Sequence, residues 1–251
     1  MPEASTQEPP VHIDPSDPHK GAQVREMFAG IADRYDALNR VLSVGRDQSW
    51  RRKAVKMAKL KGGERILDCC CGTGDLTLAF WAAKPQPSFV VGGDFTPEML
   101  HIARRKTLSV GGPDMPPYTA ADALHLPFRN AEFDVVSVAF GLRNVQDVNA
   151  GLRELVRTLR PGGRLVILEF TPVKRGLWRA LTNFYVNKIV PRIGQLVSRS
   201  RHQAYKYLPE SIGVFPDASA LAARMEAAGL NNVHFRKLNF GTVAIHVGTR
   251  E

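Results

Sequence analysis

Ile66-Leu67-Asp68-Cys69-Cys70-Cys71-Gly72-Thr73-Gly74-Asp75 is the stretch on which the fold turns. A short apolar run, Arg65 to Cys69, contains an acid near its end and enters Gly-x-Gly ahead of a helical stretch, Leu76 to Ala83. Glycines in such a turn let backbone approach a ligand closely, and the helix that follows offers free N–H groups. The pattern repeats outward. Phe89 to Gly92 reads as a strand that Asp94 closes, and a helix runs from Pro97 to about Thr107. Tyr118 to Ala121 is a third short strand, Phe133 to Ala139 a fourth, and Leu165 to Phe170 a fifth, with a helix from Asp147 to Leu159 between the last two. Strands alternating with helices predict an α/β fold with a parallel sheet. Val233 to Leu238 and Val243 to Val247, split by Asn239-Phe240-Gly241-Thr242, predict a closing antiparallel pair.

An acid at the end of the second strand of an open parallel sheet accepts hydrogen bonds from a ribose, which makes Asp94 a nucleotide-binding candidate. Two cofactors fit a loop of this kind. A dinucleotide fingerprint wants a third glycine three residues after the second, and that position is Thr77. S-adenosylmethionine (SAM) enzymes carry an acid at the strand end and then Gly-x-Gly, the spacing of Asp68, Gly72 and Gly74. Their common form has a further glycine where this chain has Cys70. Asp122-Ala123 follows the third strand, where an acid reaches an adenine amino group, and favours SAM.

The 251 residues carry 34 Lys plus Arg against 24 Asp plus Glu, a net charge of +10, and the sequence pI is about 9.8. No run of ~18 apolar residues is present, so a spanning helix is not expected, and the N-terminus lacks the pattern of a secretory signal. The only cysteines are the consecutive Cys69, Cys70 and Cys71, which make neither a disulfide framework nor a metal site. A reducing, cytoplasmic setting follows, with no metal. The proline-rich residues 1–19 read as a disordered tail ahead of one domain, residues 20–251. Apolar positions Val24, Phe28, Ile31, Tyr35, Leu38 and Leu42 form a helical stripe, and a second helix spans Trp50 to Lys59. Residues 20–60 and 171–215 are thus candidate covers for a site. Between Glu169 and Glu210 no acid occurs, while Lys174, Arg175, Arg179, Lys188, Arg192, Arg199, Arg201 and Lys206 do. Leu177, Trp178, Leu181, Phe184, Tyr185 and Ile189 recur among them at helical spacing. Such a basic amphipathic stretch suits an anionic membrane surface or nucleic acid, unless its apolar stripe is simply core.

Several motifs together resemble the UbiE/COQ5 methyltransferases. Arg34-Tyr35-Asp36-Ala37-Leu38-Asn39 with Ser43-Val44-Gly45 to Trp50 is similar to the first family signature. Arg157-Thr158-Leu159-Arg160-Pro161-Gly162-Gly163-Arg164-Leu165 through Glu169-Phe170 is similar to the second. Phe140-Gly141-Leu142-Arg143-Asn144-Val145 matches a hexapeptide of the family, and Pro191-Arg192-Ile193-Gly194 and Tyr207-Leu208-Pro209-Glu210-Ser211-Ile212 match further on. The resemblance runs from about residue 22 to 249. It implies a class I SAM-dependent, Rossmann-like fold with a mostly parallel seven-stranded sheet, and methylation of a ring carbon of a polyprenylated quinol. Demethylmenaquinol is the favoured substrate, with the benzoquinol of ubiquinone synthesis the alternative. By motif, Thr73, Asp94, Asp122 and Ala123 would hold SAM beside Asp68, Gly72 and Gly74, while Tyr35, Arg143 and Asn144 would face the quinol. A peripheral position on the inner face of the cell membrane, through residues 174–206, follows for a lipid substrate, and association with itself or with a quinone-synthesis complex is compatible with it. Three departures bear on the mechanism. Asp47 stands where the family usually has His, Ala139 where Ser is frequent, and Arg199-Ser200-Arg201 where a loop acid is common.

A hydroquinone carbon becomes nucleophilic when its neighbouring hydroxyl loses a proton, and a phenol pKa lies near ~10. The site therefore needs a cation or donor that favours phenolate. Arg143, just past the fourth strand, is the candidate stabiliser, unless it is spent on an ion pair with Asp147. Tyr35 or water is the proton relay, Asn144 the holder of the second ring oxygen, and His125 a packed loop residue. The competing readings are an RNA methyltransferase, a nicotinamide dehydrogenase and a non-catalytic SAM-binding scaffold. The chain has no tetrapeptide for a flipped base and no appended RNA-binding module, so no nucleic acid partner is expected.

Overall fold

The computed structural model describes residue 17 and residues 19–112, 114–172 and 203–251. Two helices, α1 (Lys20–Leu42) and α2 (Asp47–Met57), precede β1 (Arg65–Cys69), α3 (Asp75–Trp81), β2 (Phe89–Asp94), α4 (Pro97–Val110), β3 (Tyr118–Ala120) and β4 (Phe133–Ala139). A 3₁₀ turn, Leu142–Asn144, leads into α5 (Val148–Thr158) and β5 (Leu159–Phe170). After residue 202 come α6 (Gln203–Val214), α7 (Ala218–Ala227), β6 (Leu230–Leu238) and β7 (Val243–Arg250). The sheet is seven-stranded in the order β3-β2-β1-β4-β5-β7-β6. The first five strands are parallel neighbours, and β7 runs antiparallel to both β5 and β6.

Side-chain alternation explains the two layers. On β4 and β5, Val135, Val166 and Leu168 turn to one face, while Val136, Val138, Leu165 and Ile167 turn to the other. The first face is covered by Trp50 and Ala54 of α2 and Leu76 and Phe80 of α3. The second is covered by Leu152 and Leu155 of α5 and Leu221 and Met225 of α7. A strand buried on both faces needs apolar residues at every position, which is why these runs do not alternate with polar ones. The order of strands reverses at β1 and β4, so the crevice for a ligand opens above their carboxyl ends.

The expected α/β class and the closing antiparallel pair are present, with differences in extent. α1 begins at Lys20 and α2 at Asp47, ahead of the first apolar positions. α5 stops at Thr158, because β5 reaches back to Leu159. A register shift opposite Phe133 and Val135 absorbs the Pro161-Gly162-Gly163 turn. β6 starts at Leu230, before the apolar alternation does. Helix α7 was not expected at all. Its signals are an Asp217 cap, whose carboxylate accepts from the Ala220 N–H at 2.8 Å, and buried Ala218, Leu221 and Met225 at helical spacing. The basic residues 174–202 lie outside the described residues, as does the tail except for residues 17 and 19.

Gly92 on β2 sits where a Cβ would come within 2.6 Å of the Tyr118 ring and 2.9 Å of Cys71 Sγ. Tyr118 is pinned through its hydroxyl to Thr107 Oγ1 at 2.8 Å and cannot swing away without losing that bond. Gly92→Ala is expected to lower the unfolding free energy by ~1–3 kcal/mol, the usual cost of overpacking; urea denaturation measures it.

Candidate active site

The loop after β1 is built on left-handed backbone. Cys70 has φ +54°, Gly72 +55° and Gly74 +83°, and Gly74 is the N-cap of α3. Asp94, at the end of β2, fastens this loop. One carboxylate oxygen accepts the Gly72 N–H at 2.7 Å, and the other accepts the Thr96 N–H at 2.8 Å. Burial pushes the Asp94 carboxyl above its ordinary range, against the pull of those N–H groups. Asp68 lies underneath, fully buried, accepting from Thr77 Oγ1 at 2.6 Å and Ser137 Oγ at 2.9 Å. Thr77, the residue that breaks a dinucleotide fingerprint, thus has its own task, which a glycine could not perform.

A cavity of about 350 Å³ opens above the loop. Tyr35, Gly72, Asp94, Asp122, Ala123 and Asn144 all line it. Asp68, Thr73, Gly74 and Arg143 are not in its wall. Thr73 is buried, and its hydroxyl donates to Asp36 Oδ1 at 2.5 Å. Asp36 Oδ2 accepts from Lys106 Nζ at 2.8 Å, and Lys106 also binds Asp75. This polar cluster clasps α1 over the glycine loop, so α1 forms the roof of the cavity through Val24, Arg25, Phe28 and Tyr35. The N-terminal end of α1 is held as well. Buried Lys20 donates to the carbonyls of Arg143 (3.2 Å) and Val145 (3.0 Å), and burial together with the Arg143 charge lowers its pKa.

Arg143 is buried and bound to Glu169, Nη1 to Oε1 at 2.8 Å, while its backbone N–H meets Glu169 Oε2 at 3.3 Å. Its guanidinium also donates to the Phe140 carbonyl and lies over the Phe170 ring, 5.4 Å from the centroid. The pairing with Asp147 does not form. Asp147 instead caps α5, accepting from the Asn149 and Ala150 N–H groups. Asn144 accepts from the Tyr207 hydroxyl at 3.0 Å. Burial pushes Tyr207 up to about 12 and raises Tyr35, so both phenols keep their protons at neutral pH. Tyr35 also stacks edge-on against Phe28, centroids 5.9 Å apart, so it is at once part of the α1 stripe and part of the cavity wall. His125 is not packed: its side chain is 86% exposed, 3.8 Å from Asp122. Glu169, Tyr207, Lys20 and the Asp36–Lys106 pair escaped the reading of sequence. Tyr207, Glu169 and Asp36 sat inside quoted motifs, Lys20 and Lys106 did not, and nothing local marks their partners.

The departures have visible uses. Asp47 is buried and paired with Arg51 at 2.8 Å, and Arg51 lies over the Phe140 ring. Ala139 lines the cavity. Arg199, Ser200 and Arg201 lie outside the described residues. Among the described residues no group of three or more His, Cys, Asp or Glu is placed to hold a metal, and no helix is long and apolar enough to cross a membrane.

The chemistry of the wall fits SAM. Asp94 is an acid that could hold a ribose diol, Asp122 and Ala123 stand where they could meet an adenine, and the left-handed Gly72 leaves room for close backbone approach. Fold and wall together define a class I SAM-dependent methyltransferase. The ubiE/COQ5 methyltransferase family model matches residues 17–250, and the chain belongs to that family. It is 49% identical to the demethylmenaquinone methyltransferase of Thermus thermophilus, over 89% of this chain and 100% of the relative. It is 41% identical to a ubiquinone/menaquinone biosynthesis C-methyltransferase UbiE of Geotalea daltonii, over 92% of this chain and 97% of the relative. Its fold is similar to that of magnesium protoporphyrin IX methyltransferase from Synechocystis PCC 6803 with bound SAM, at a TM-score of 0.61 and 15% identity over 92% and 97% of the two chains.

Burial raises the Asp68 carboxyl from 3.8 to about 6, against the Thr77 and Ser137 hydrogen bonds. A raised carboxyl costs nothing below its unfolded pKa; as pH rises from there to the folded value, the unfolded chain ionises first and the fold loses stability. The loss is on the order of 3 kcal/mol, from the size of the shift. Asp68→Asn is expected to remove that share of the decline between about pH 4 and 6. Urea denaturation of both proteins across the range measures the difference.

Proposed function

We propose that the protein methylates a ring carbon of a polyprenylated quinol, with demethylmenaquinol the substrate and menaquinol the product. The observation that carries this reading is the relative named demethylmenaquinone methyltransferase, matched at 49% identity across its entire length. SAM, when bound, supplies an electrophilic methyl group. The chain's own residues orient the ring and favour its phenolate.

Asn144 is assigned to one ring oxygen, with its own carbonyl oxygen steadied by the Tyr207 hydroxyl. Tyr35, kept protonated by burial, acts as a donor to the second oxygen and not as a base. Arg143 works from behind the wall as a positioning residue. Its ion pair with Glu169 fixes the Phe140–Asn144 turn and so holds Asn144 at the cavity. α1 roofs the cavity, and the shielding it gives a bound ring strengthens each of these interactions. The basic residues 174–206 are assigned to anionic lipid, where a substrate with a polyprenyl tail resides. The UbiE relative keeps the benzoquinol of ubiquinone synthesis as the second reading.

Purified protein, SAM and a chemically reduced short-tailed demethylmenaquinone are expected to yield a product one methyl heavier, and none from the oxidised quinone. No mass gain with SAM shown to bind would overturn the substrate assignment and turn the test to the benzoquinol. Arg143→Ala is expected to lower kcat by ~10²-fold, the usual cost of displacing the groups that position a substrate. A pH–rate profile shifted to higher pH, with SAM affinity retained, marks loss of phenolate stabilisation and separates it from general disruption.

A further inference from the structure

Lys20, at the start of α1, is a buried cation without an anion. The residue is 6% exposed, and its Nζ donates to the carbonyls of Arg143 at 3.2 Å and Val145 at 3.0 Å. Among the described residues no acid pairs with it, and the charge close enough to act on it is that of Arg143, a second cation. Taking an ammonium out of water is costly, and a like charge beside it adds to the cost. Carbonyl oxygens offset part of this as dipoles, without neutralising the charge.

A tie between α1 and the turn after β4 does not require that charge. The Gly21 N–H donates to Gln146 Oε1 at 3.2 Å, and Gln146 Nε2 donates to the Asp17 carbonyl at 2.7 Å. Neutral groups therefore hold the same junction, and what Lys20 adds is a charge. Arg143 leaves none over, because Glu169 meets it at 2.8 Å. Lys20 and Arg143 thus share one acid between them. The other titratable groups on the elements packed here do not cancel the excess. Tyr207 of α6 keeps its proton, Glu210 of the same helix is exposed, and Asp147 caps α5. The Asp17 carboxylate is turned to the His19 N–H at 2.7 Å and to Gln23 Nε2 at 2.8 Å. The two carbonyls that Lys20 binds bracket Asn144, which lines the cavity with Val145. They belong to the turn assigned above to the quinol, and not to the glycine loop assigned to SAM.

We propose that Lys20 is a positioning residue of the quinol site, which holds Asn144 at the cavity through the two carbonyls and supplies, from behind the wall, the positive charge that favours the ring phenolate. The phenolate is the anion that the buried ammonium lacks. The ring acquires its charge only when the hydroxyl has lost its proton, so the attraction is stronger for the activated methyl acceptor than for the neutral quinol. A charge buried at a cost until a ligand balances it is what a site prepared for an anion requires. The inference rests on the quinol reading above. The carboxylate of SAM is the other anion that could meet Lys20, and the test separates the two.

Lys20→Gln keeps a donor for the carbonyls and removes the charge, Lys20→Met is a neutral side chain of similar length, and Lys20→Arg keeps the charge. The full chain, SAM and the reduced short-tailed demethylmenaquinone are followed without oxygen, in single turnovers across the pH range below the phenol pKa of ~10. The rate of methyl transfer is expected to rise with pH as the hydroxyl ionises. In both neutral variants the rise is expected to move up by ~1 pH unit, which lowers the rate ~10-fold at neutral pH, because the phenolate has lost a cation. Lys20→Arg is expected to return the rise to its place. Affinity for S-adenosylhomocysteine, which keeps the carboxylate, is expected to stay within ~2-fold, since the glycine loop is untouched. A rise at the same pH in the neutral variants and the unmodified protein overturns the proposal, whatever the rate. So does a ~10-fold loss of S-adenosylhomocysteine affinity with the rise unmoved, which gives the charge to the cofactor. So does loss of folding in both neutral variants, which makes Lys20 a structural anchor. The quinol reading is tested separately by the unmodified protein, and turnover of neither demethylmenaquinol nor the benzoquinol overturns it and this proposal together.

Discussion

A carboxylate buried at the end of a central strand must find partners, and Asp68 finds them in Thr77 and Ser137. An unpaired group there would be costly. The requirement ties β1 to α3 on one side and to β4 on the other, at the place where the glycine loop leaves the sheet. With that root fixed, Asp94 can draw the loop's Gly72 N–H toward the end of β2. The floor of the cavity is thus set by two acids with different duties. One holds the loop from below, while the other holds it from the side and still lines the cavity.

The roof depends on this floor. Asp36 and Lys106 bind Thr73 and Asp75, which have fixed positions only because the loop does. Lys20 anchors the other end of α1 to the turn that carries Arg143 and Asn144. The helix therefore couples the cofactor loop to the wall assigned to the quinol, through side chains separated by more than a hundred positions in the chain. Tyr35 and Phe28 reach the cavity as a result of that coupling and not of their own contacts alone.

Most of the fold was legible because burial on two faces writes apolar runs into the sequence. That Asp94, Asp122 and Asn144 stand at the cavity was legible because strand ends and the turns after them open toward it. Where the reading fell short, the missing information was a long-range partner. Arg143 looked like a bare cation with Asp147 at hand, yet Asp147 is consumed by its own helix cap and Glu169 arrives from the adjacent strand. Asp68 looked like a ligand contact because its spacing to the glycines is right, and that spacing equally suits an acid that serves the loop from beneath. Helix α7 escaped because alanines carry too little apolar contrast to show a stripe. His125 was read as packed, since a chain position next to a site residue says nothing of which way a loop side chain turns.

The consecutive cysteines acquire a meaning in this setting. Cys70 lines the cavity, and a Cβ on Gly141 would come within 2.3 Å of the Cys70 Cβ, so the turn carrying Arg143 is pressed directly against it. Contact with the neighbouring Cys69 thiol and burial both raise the Cys70 thiol, and burial raises Cys71. Thiolates, not thiols, attack electrophilic carbon. Oxidised quinones are electrophiles of that kind, and any quinol pool contains some of them. The Cys70 sulfur in the cavity wall, held as a thiol, is therefore a poor nucleophile toward an electrophile bound beside it.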